Sequence, residues 1–282
     1  MIQKLESLRS VLTQQRSEFG HALNKVLSPA EPLQSEEYLK GRASQLFDIE
    51  KALYAPGRHV LIHGLRGVGK SSLAQTAAFK LSQGHDPIIV SCDNSSTFKS
   101  IIKDIFDEAF TKDPRIFEES SLKEVGGGLS WLPTSIAAKF SASQKMGAIE
   151  EPLSVNDAVR ALSFLCDRLG GKPVFVVDEF DLISSKDVQR EFADMVKQVS
   201  DKHVPACFIV CGIAESAEAL MSAHASIDRY FHAVDLGRLP WDARIEIVET
   251  AADALGIAID KTTTYRIAMI SDGFPYYVHF IS

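Results

Sequence analysis

Cysteine is scarce in this chain: four residues in 282, at Cys92, Cys166, Cys207 and Cys211. None forms a C-x-x-C pair. Cys207 and Cys211 share one apolar run that reads as a strand, which puts them about 13 Å apart, beyond disulfide reach. So few thiols without a framework imply a reducing compartment, the cytoplasm. Long apolar runs are also missing. The longest, Val204 to Ala214, is too short to cross a bilayer. The opening Met1-Ile2-Gln3-Lys4-Leu5-Glu6 mixes charges and has no signal-like apolar core. Membrane and secreted roles are not expected. No basic excess exists either: 30 Lys and Arg face 37 Asp and Glu, a net charge of −7 and a pI near 5.6. That excludes a polycationic arm, while a local basic patch stays compatible with it. The eight histidines show no H-E-x-x-H and no Cys/His metal spacing, so no zinc site is expected. No G-x-S-x-G occurs.

What is present is ordinary globular material: 45% hydrophobic and 24% charged residues, enough for one large domain with a small satellite. Residues 1–27 carry helical spacing (Ile2, Leu5, Leu8, Val11, Leu12, Phe19, Leu23, Val26), interrupted at Gly20. Pro29 and Pro32 then impose an extended lead-in. Five apolar runs read as strands: His59–His63, Pro87–Cys92, Pro173–Val177, Ala206–Gly212 and Phe231–Leu236. Between and around them lie helical patterns at Ala43–Leu53, a segment ending at Leu81, Thr97–Phe110, Val155–Leu169, Lys186–Val199 and Glu215–Ala223. Alternation of this kind predicts an α/β fold with an open parallel sheet covered on both faces. Residues 111–154, with Gly126-Gly127-Gly128, break the rhythm and read as an insertion. From Pro240 the pattern is only helical: Trp241–Leu255, Thr262–Ile270 and Pro275 onward. The expected organisation is therefore 1–40, N-terminal helix and lead-in; 41–239, α/β domain; 240–282, small helical subdomain. Ser282 falls about two turns into the last helix, which suggests a longer parent protein.

One motif dominates. Gly64-Leu65-Arg66-Gly67-Val68-Gly69-Lys70-Ser71 fits G-x-x-x-x-G-K-[ST] without a mismatch, between a predicted strand and a predicted helix. By chance it would occur in roughly 1% of chains this size. Glycines let the main chain curl so that its N–H groups converge on phosphate oxygens. The helix start adds a positive dipole end. Lys70 supplies a charge for the β/γ-phosphates and the Ser71 hydroxyl is a Mg²⁺ ligand; Ser72 belongs to the nucleotide-contact set but is off the metal position. The second motif is Val174-Phe175-Val176-Val177-Asp178-Glu179, a strand ending in two acids. Ligands bind outside such carboxyl ends. Asp178 suits the Mg²⁺ shell and Glu179 suits polarising an attacking water. Asp181 reads as a helix cap. GTP is disfavoured, since Asn24-Lys25 lacks the guanine-reading Asp and lies upstream of the loop, and the second strand motif runs on as Asp178-Glu179-Phe180-Asp181 instead of D-x-x-G. ATP is the expected nucleotide.

Together these residues and the helical tail resemble the AAA+ P-loop ATPases, over roughly residues 28–282. The nearer resemblance is to the origin-recognition-like and signal-transducing (STAND-like) bacterial and archaeal branch. It implies a three-layer P-loop fold with five parallel strands and a helical lid. It implies ATP and Mg²⁺ as cofactors and ATP hydrolysis driving a conformational or assembly switch. It places Gly41-Arg42 in a lead-in near the adenine, so that Gly41, Arg42, Gly64, Arg66, Gly67, Val68, Gly69, Lys70, Ser71 and Ser72 form the nucleotide set. Cys211 or Gly212 falls where a polar γ-phosphate sensor is usual. Arg229 falls where this superfamily has an arginine finger that reaches a neighbour's ATP; a surface pairing with Asp228 is the alternative. The lid offers Gly273-Phe274-Pro275 in place of a second sensor arginine, and Pro275 suits a helix start. The implied partners are a homo-oligomer, and a protein effector or an appended C-terminal domain. Two alternatives remain open. One is a nucleotide-loaded switch without catalysis. The other is a DNA-associated ATPase of transposition-like, replication-like or phage-defence type.

Overall fold

The computed structural model describes residues 19–20, 22–23, 26–27, 32, 34–82, 86–113, 153–213, 220 and 227–282. The predicted helices over 1–27 and Glu215–Ala223 and the predicted insertion at 111–154 fall largely outside them. The chain divides into two units. The larger, Ser44–Leu65 with Ala74–Asp235, contains five parallel strands: β1 (His59–His63), β2 (Ile88–Ser91), β3 (Val174–Asp178), β4 (Cys207–Gly212) and β5 (Phe231–Asp235). Their order across the sheet is β2-β3-β4-β1-β5. Helices occupy the connections: α1 (Ala43–Tyr54), α2 (Lys70–Leu81), α3 (Phe98–Lys112), α4 (Val155–Leu169) and α5 (Lys186–Asp201).

The central strands are largely apolar because both faces are covered, while the edge strands expose Ser91 of β2 and Asp235 of β5. Every residue of β3 and β4 is buried. Leu61, Phe175, Val177, Phe208 and Val210 share one core with α3, α4 and α5. The alternating set Val60, Ile62, Val176 and Ile209 is buried as well. Caps set the helix starts. Thr97 and Ser100 form a reciprocal capping box on α3, and Ser154 and Ser185 accept from backbone N–H groups of α4 and α5, each such cap being worth about 1 kcal/mol. The predicted elements recur within two residues, but Thr97 is the cap of α3 rather than its first turn.

One polar residue sits inside this core. His59 is fully buried at the start of β1. The Phe208 N–H donates to its Nδ1 at 3.1 Å, so the ring proton is on Nε2, which donates to Ser200 Oγ at 2.9 Å. The Ser200 hydroxyl in turn reaches the Gly57 carbonyl at 3.0 Å. Burial, with a smaller contribution from the charge of Lys172, pushes the imidazole down to about 3. The folded state therefore excludes a proton that the unfolded chain binds below about pH 6.5. The stabilisation is complete above that pH and is lost as pH falls toward 3. Between pH 6 and 4, urea unfolding should show His59→Gln losing about 1.4 kcal/mol per pH unit less than the wild type; equal slopes would refute this.

The smaller unit comprises 1–43, 66–73 and 236–282. Its last segment forms α6 (Trp241–Leu255), α7 (Lys261–Ile270) and α8 (Pro275–Ile281). Leu239, Ala243, Ile247, Val248, Ile267 and Val278 make its core, and Val26 and Leu27 pack on Ala251. Arg244 ties the helices together, donating to the Leu239 carbonyl at 3.0 Å and the Ala268 carbonyl at 3.2 Å. Asp260 caps α7, and Pro275 opens α8 without a side-chain cap. None of the described helices is long and apolar enough to cross a membrane.

Candidate functional site

Within the smaller unit, a cavity of about 230 Å³ is lined by Gly67, Val68, Gly69, Lys70, Ser71 and Ser72, by Pro32, Tyr38, Leu39, Lys40 and Arg42, and by Leu239, Ile247, Pro275, Tyr276 and His279. The loop's shape comes from its glycines. Gly67 and Gly69 hold φ of 80° and 93°, values that a side chain disfavours. A Cβ at either would meet its nearest atom only at 3.5 Å, so backbone conformation, not space, demands glycine here. The Leu73 N–H bonds the Gly69 carbonyl at 3.0 Å, which starts α2 and leaves Lys70 and Ser71 in its first turn. There the N–H groups lack helical acceptors and the dipole favours an anion.

Arg42 holds this loop. It is 4% exposed, and one of its guanidinium nitrogens donates to the carbonyls of Val68 at 2.9 Å and Gly237 at 2.7 Å. Burial lowers its pKa to about 10, so it stays charged at neutral pH. Gly41, beside it, has φ of 66°, and a Cβ there would fall 2.4 Å from the Ala243 Cβ. The sequence puts both residues beside the nucleotide. In the structure Arg42 lines the cavity with its guanidinium bound to backbone, while Gly41 does not line it and instead permits close approach to α6. Gly64 and Arg66 do not line it either. The lining residues Tyr38, Lys40, Ile247, Tyr276 and His279 carry no motif, and sequence reading passes over them.

In the larger unit, Asp178 and Glu179 end β3. Asp178 is buried, Glu179 is exposed, and the Glu179 N–H donates to Asp178 Oδ1 at 2.8 Å. Glu179 adopts φ 54°, ψ 31° and occupies the N-cap position of a 3-10 turn, Phe180–Leu182. A left-handed non-glycine residue costs on the order of 1 kcal/mol, and core packing holds it: Phe180 is fully buried with its ring 5.1 Å from Phe192. Asp181 lies inside this turn, so the predicted cap is corrected to Glu179, which caps through its backbone position and not its side chain.

In the pairing register, Cys211 stands opposite Ile62, and Gly212 opposite His63. Cys211 is fully buried. Arg229 ends a 3-10 turn just before β5. It is exposed and makes no ion pair with Asp228 among the described residues; the carbonyls of both accept from Arg58. No lid arginine lines the cavity among the described residues. Arg238 instead pairs with Asp272 at 2.5 Å and stacks on Phe274. No cluster of three metal-ligating His, Cys, Asp or Glu side chains occurs among the described residues.

The family model described as the AAA ATPase domain matches residues 38–209, well over half of the chain. No curated protein sequence matches significantly. Among solved structures, the fold is similar to a Walker-type ATPase of Pyrococcus abyssi, with a TM-score of 0.58, 18% identity, 89% of this chain and 68% of that one covered. It is also similar to the ORC2 protein of Aeropyrum pernix, with a TM-score of 0.59, 14% identity and coverage of 91% and 64%. Cdc6p of Pyrobaculum aerophilum gives a TM-score of 0.54, 15% identity and coverage of 91% and 62%. The chain thus spans about two thirds of these structures. At such identities they show the fold: a P-loop α/β sandwich with a helical C-terminal part.

Arg42→Ala would strand two carbonyls, one of them on a fully buried residue of the phosphate loop. We expect a loss of roughly 2–4 kcal/mol in unfolding free energy and weaker nucleotide binding, read by urea titration with and without ADP.

Proposed function

Since the chain belongs to the AAA ATPase domain family and is an ATP-hydrolysing enzyme, we propose that its ATP cycle drives a conformational or assembly switch in a homo-oligomer. The observation that carries this reading is the cavity built jointly by the phosphate loop, the lead-in and the lid helices. A ligand gripped by the loop touches lid residues Pro275, Tyr276 and His279 as well. Its presence is therefore sensed by helices remote in sequence. A ligand shifts such an equilibrium only by its differential affinity for the two states.

The proposed roles follow residue chemistry. Backbone N–H groups of residues 67–72 and the Lys70 ammonium bind the β- and γ-phosphates. Mg²⁺ fits the proposed donors, because the Ser71 hydroxyl and the Asp178 carboxylate are the hard oxygens this ion prefers. When bound, it would neutralise phosphate charge. Glu179, exposed and fixed by its turn, orients the water and takes its proton. Phosphoryl transfer needs positioning and charge stabilisation more than covalent chemistry, and a pre-shaped loop provides that. The exposed Arg229, with no ion pair among the described residues, is proposed to reach the ATP of a neighbouring subunit. Cys211, an apolar stand-in at the sensor position, leaves the γ-phosphate to the loop and Glu179, which favours slow turnover.

Lys70→Ala should lower ATP affinity by about 100-fold, and Glu179→Gln should keep binding while cutting turnover by about 10²–10³-fold. Fluorescent-nucleotide titration and phosphate release measure the two. Wild-type affinity in the Lys70 variant would refute the site. For Arg229, turnover per subunit should rise with protein concentration. Arg229→Ala should flatten that rise, with a loss on the order of 10³-fold at the plateau; concentration-independent turnover in the wild type would exclude a shared site.

A further inference from the structure

The cavity has an end that the phosphate loop does not line. A smaller pocket of about 10 Å³ there is lined by Val26, Tyr38, Lys40, Ile247, Thr250 and His279, none of them from the loop. Tyr38, Lys40, Ile247 and His279 line both spaces. A nucleotide held by its phosphates at residues 67–72 presents its other end, the base, to these four side chains.

They differ in what they can offer. Tyr38 and Ile247 supply apolar surface for a flat ring. Lys40 is engaged with Glu246 at 3.1 Å. His279 is 8% exposed, and its Nδ1 has no hydrogen-bond partner among the described residues. Buried polar atoms are nearly always partnered, and an orphan on a side chain that lines a cavity marks where a ligand's polar atom belongs. Burial also lowers the imidazole's pKa, so the ring is neutral at pH 7 and offers one nitrogen as an acceptor. A single turn of α8 places His279 four residues after Pro275, where the helix lines the same cavity.

We propose that His279 determines base specificity: with the ring proton on Nε2, its Nδ1 accepts a hydrogen bond from the exocyclic 6-amino group of an adenine nucleotide. This rests on the nucleotide reading above and adds the residue that selects the base. A 6-oxopurine presents a carbonyl oxygen at the same point, and two acceptors then face each other. A purine without a 6-substituent leaves Nδ1 unpaired. A site built around such a bond rejects analogues that cannot form it.

The test is a binding titration of the full chain with Mg²⁺ and four probes: ATP, inosine triphosphate, purine riboside triphosphate and inorganic triphosphate. Wild type should bind ATP about tenfold more tightly than either nucleoside analogue, the value of one neutral hydrogen bond. His279→Leu should bind all three nucleosides within about twofold of one another, with inorganic triphosphate binding unchanged. That last arm shows that the loop and the fold are intact. Should leucine disturb the lid, His279→Asn provides a second variant, and its side-chain oxygen should keep the preference for ATP. Equal affinity of the wild type for ATP and its two analogues overturns the assignment, as does a preserved ATP preference in the leucine variant. If the wild type binds neither ATP nor inorganic triphosphate, it is the phosphate-loop reading that fails.

Discussion

The smaller unit depends on one buried cation. The guanidinium of Arg42 joins the Val68 and Gly237 carbonyls, which lie 26 and 195 residues away in sequence. It thereby ties the lead-in, the phosphate loop and the segment entering the lid into one cavity wall. Both bonds come from one nitrogen, whose two N–H groups diverge in the plane of the guanidinium toward the two fixed carbonyls. Burial lowers its pKa only to about 10, so the charge persists under any neutral condition. Gly41 supports the same junction by having no side chain, since a Cβ would collide with Ala243. The glycine-rich loop and the helices of the C-terminal segment are therefore braced by a shared contact.

The larger unit solves a different problem, holding an exposed acid in a fixed direction. Glu179 emerges from a fully buried strand into a left-handed conformation. Such a residue relaxes unless its surroundings over-determine it. Here the next side chain, Phe180, is locked against Phe192, whose ring meets Phe208 edge-on at 5.8 Å. Aromatic packing beneath the strand end thus fixes the acid above it. A change of the Glu179 backbone conformation would therefore cost core contacts.

Much of this was legible in the residues. The five strands are short, mostly apolar runs bounded by Gly, Pro or charged residues, and each recurs within two positions because a strand covered on both faces, as β3 and β4 are, demands that composition. The glycine spacing of residues 64–71 encodes a backbone shape through allowed φ values, which is a local property. Sequence pattern alone places a cap at Asp181, because Asp near a helix start is common. Its neighbour's backbone took that position, and only core packing decides which residue bears the turn. The lead-in resemblance puts Gly41 beside the nucleotide, whereas its neighbour in space is Ala243 of α6.

Local chemistry alone determined that residues 64–71 curl into a glycine-rich loop, that β3 runs into Asp178 and Glu179, and that the chain carries a helical tail. Those features follow from φ preferences, hydrophobic runs and helix periodicity within a dozen residues. The tertiary structure decided that Arg42 would brace the loop, that the order of strands would be β2-β3-β4-β1-β5, and that His279 would meet Tyr38 and Lys40 around one cavity. Each of these unites residues far apart in sequence. Their pairing is fixed by packing and hydrogen-bond satisfaction across the folded chain, and no local pattern of residues carries that information.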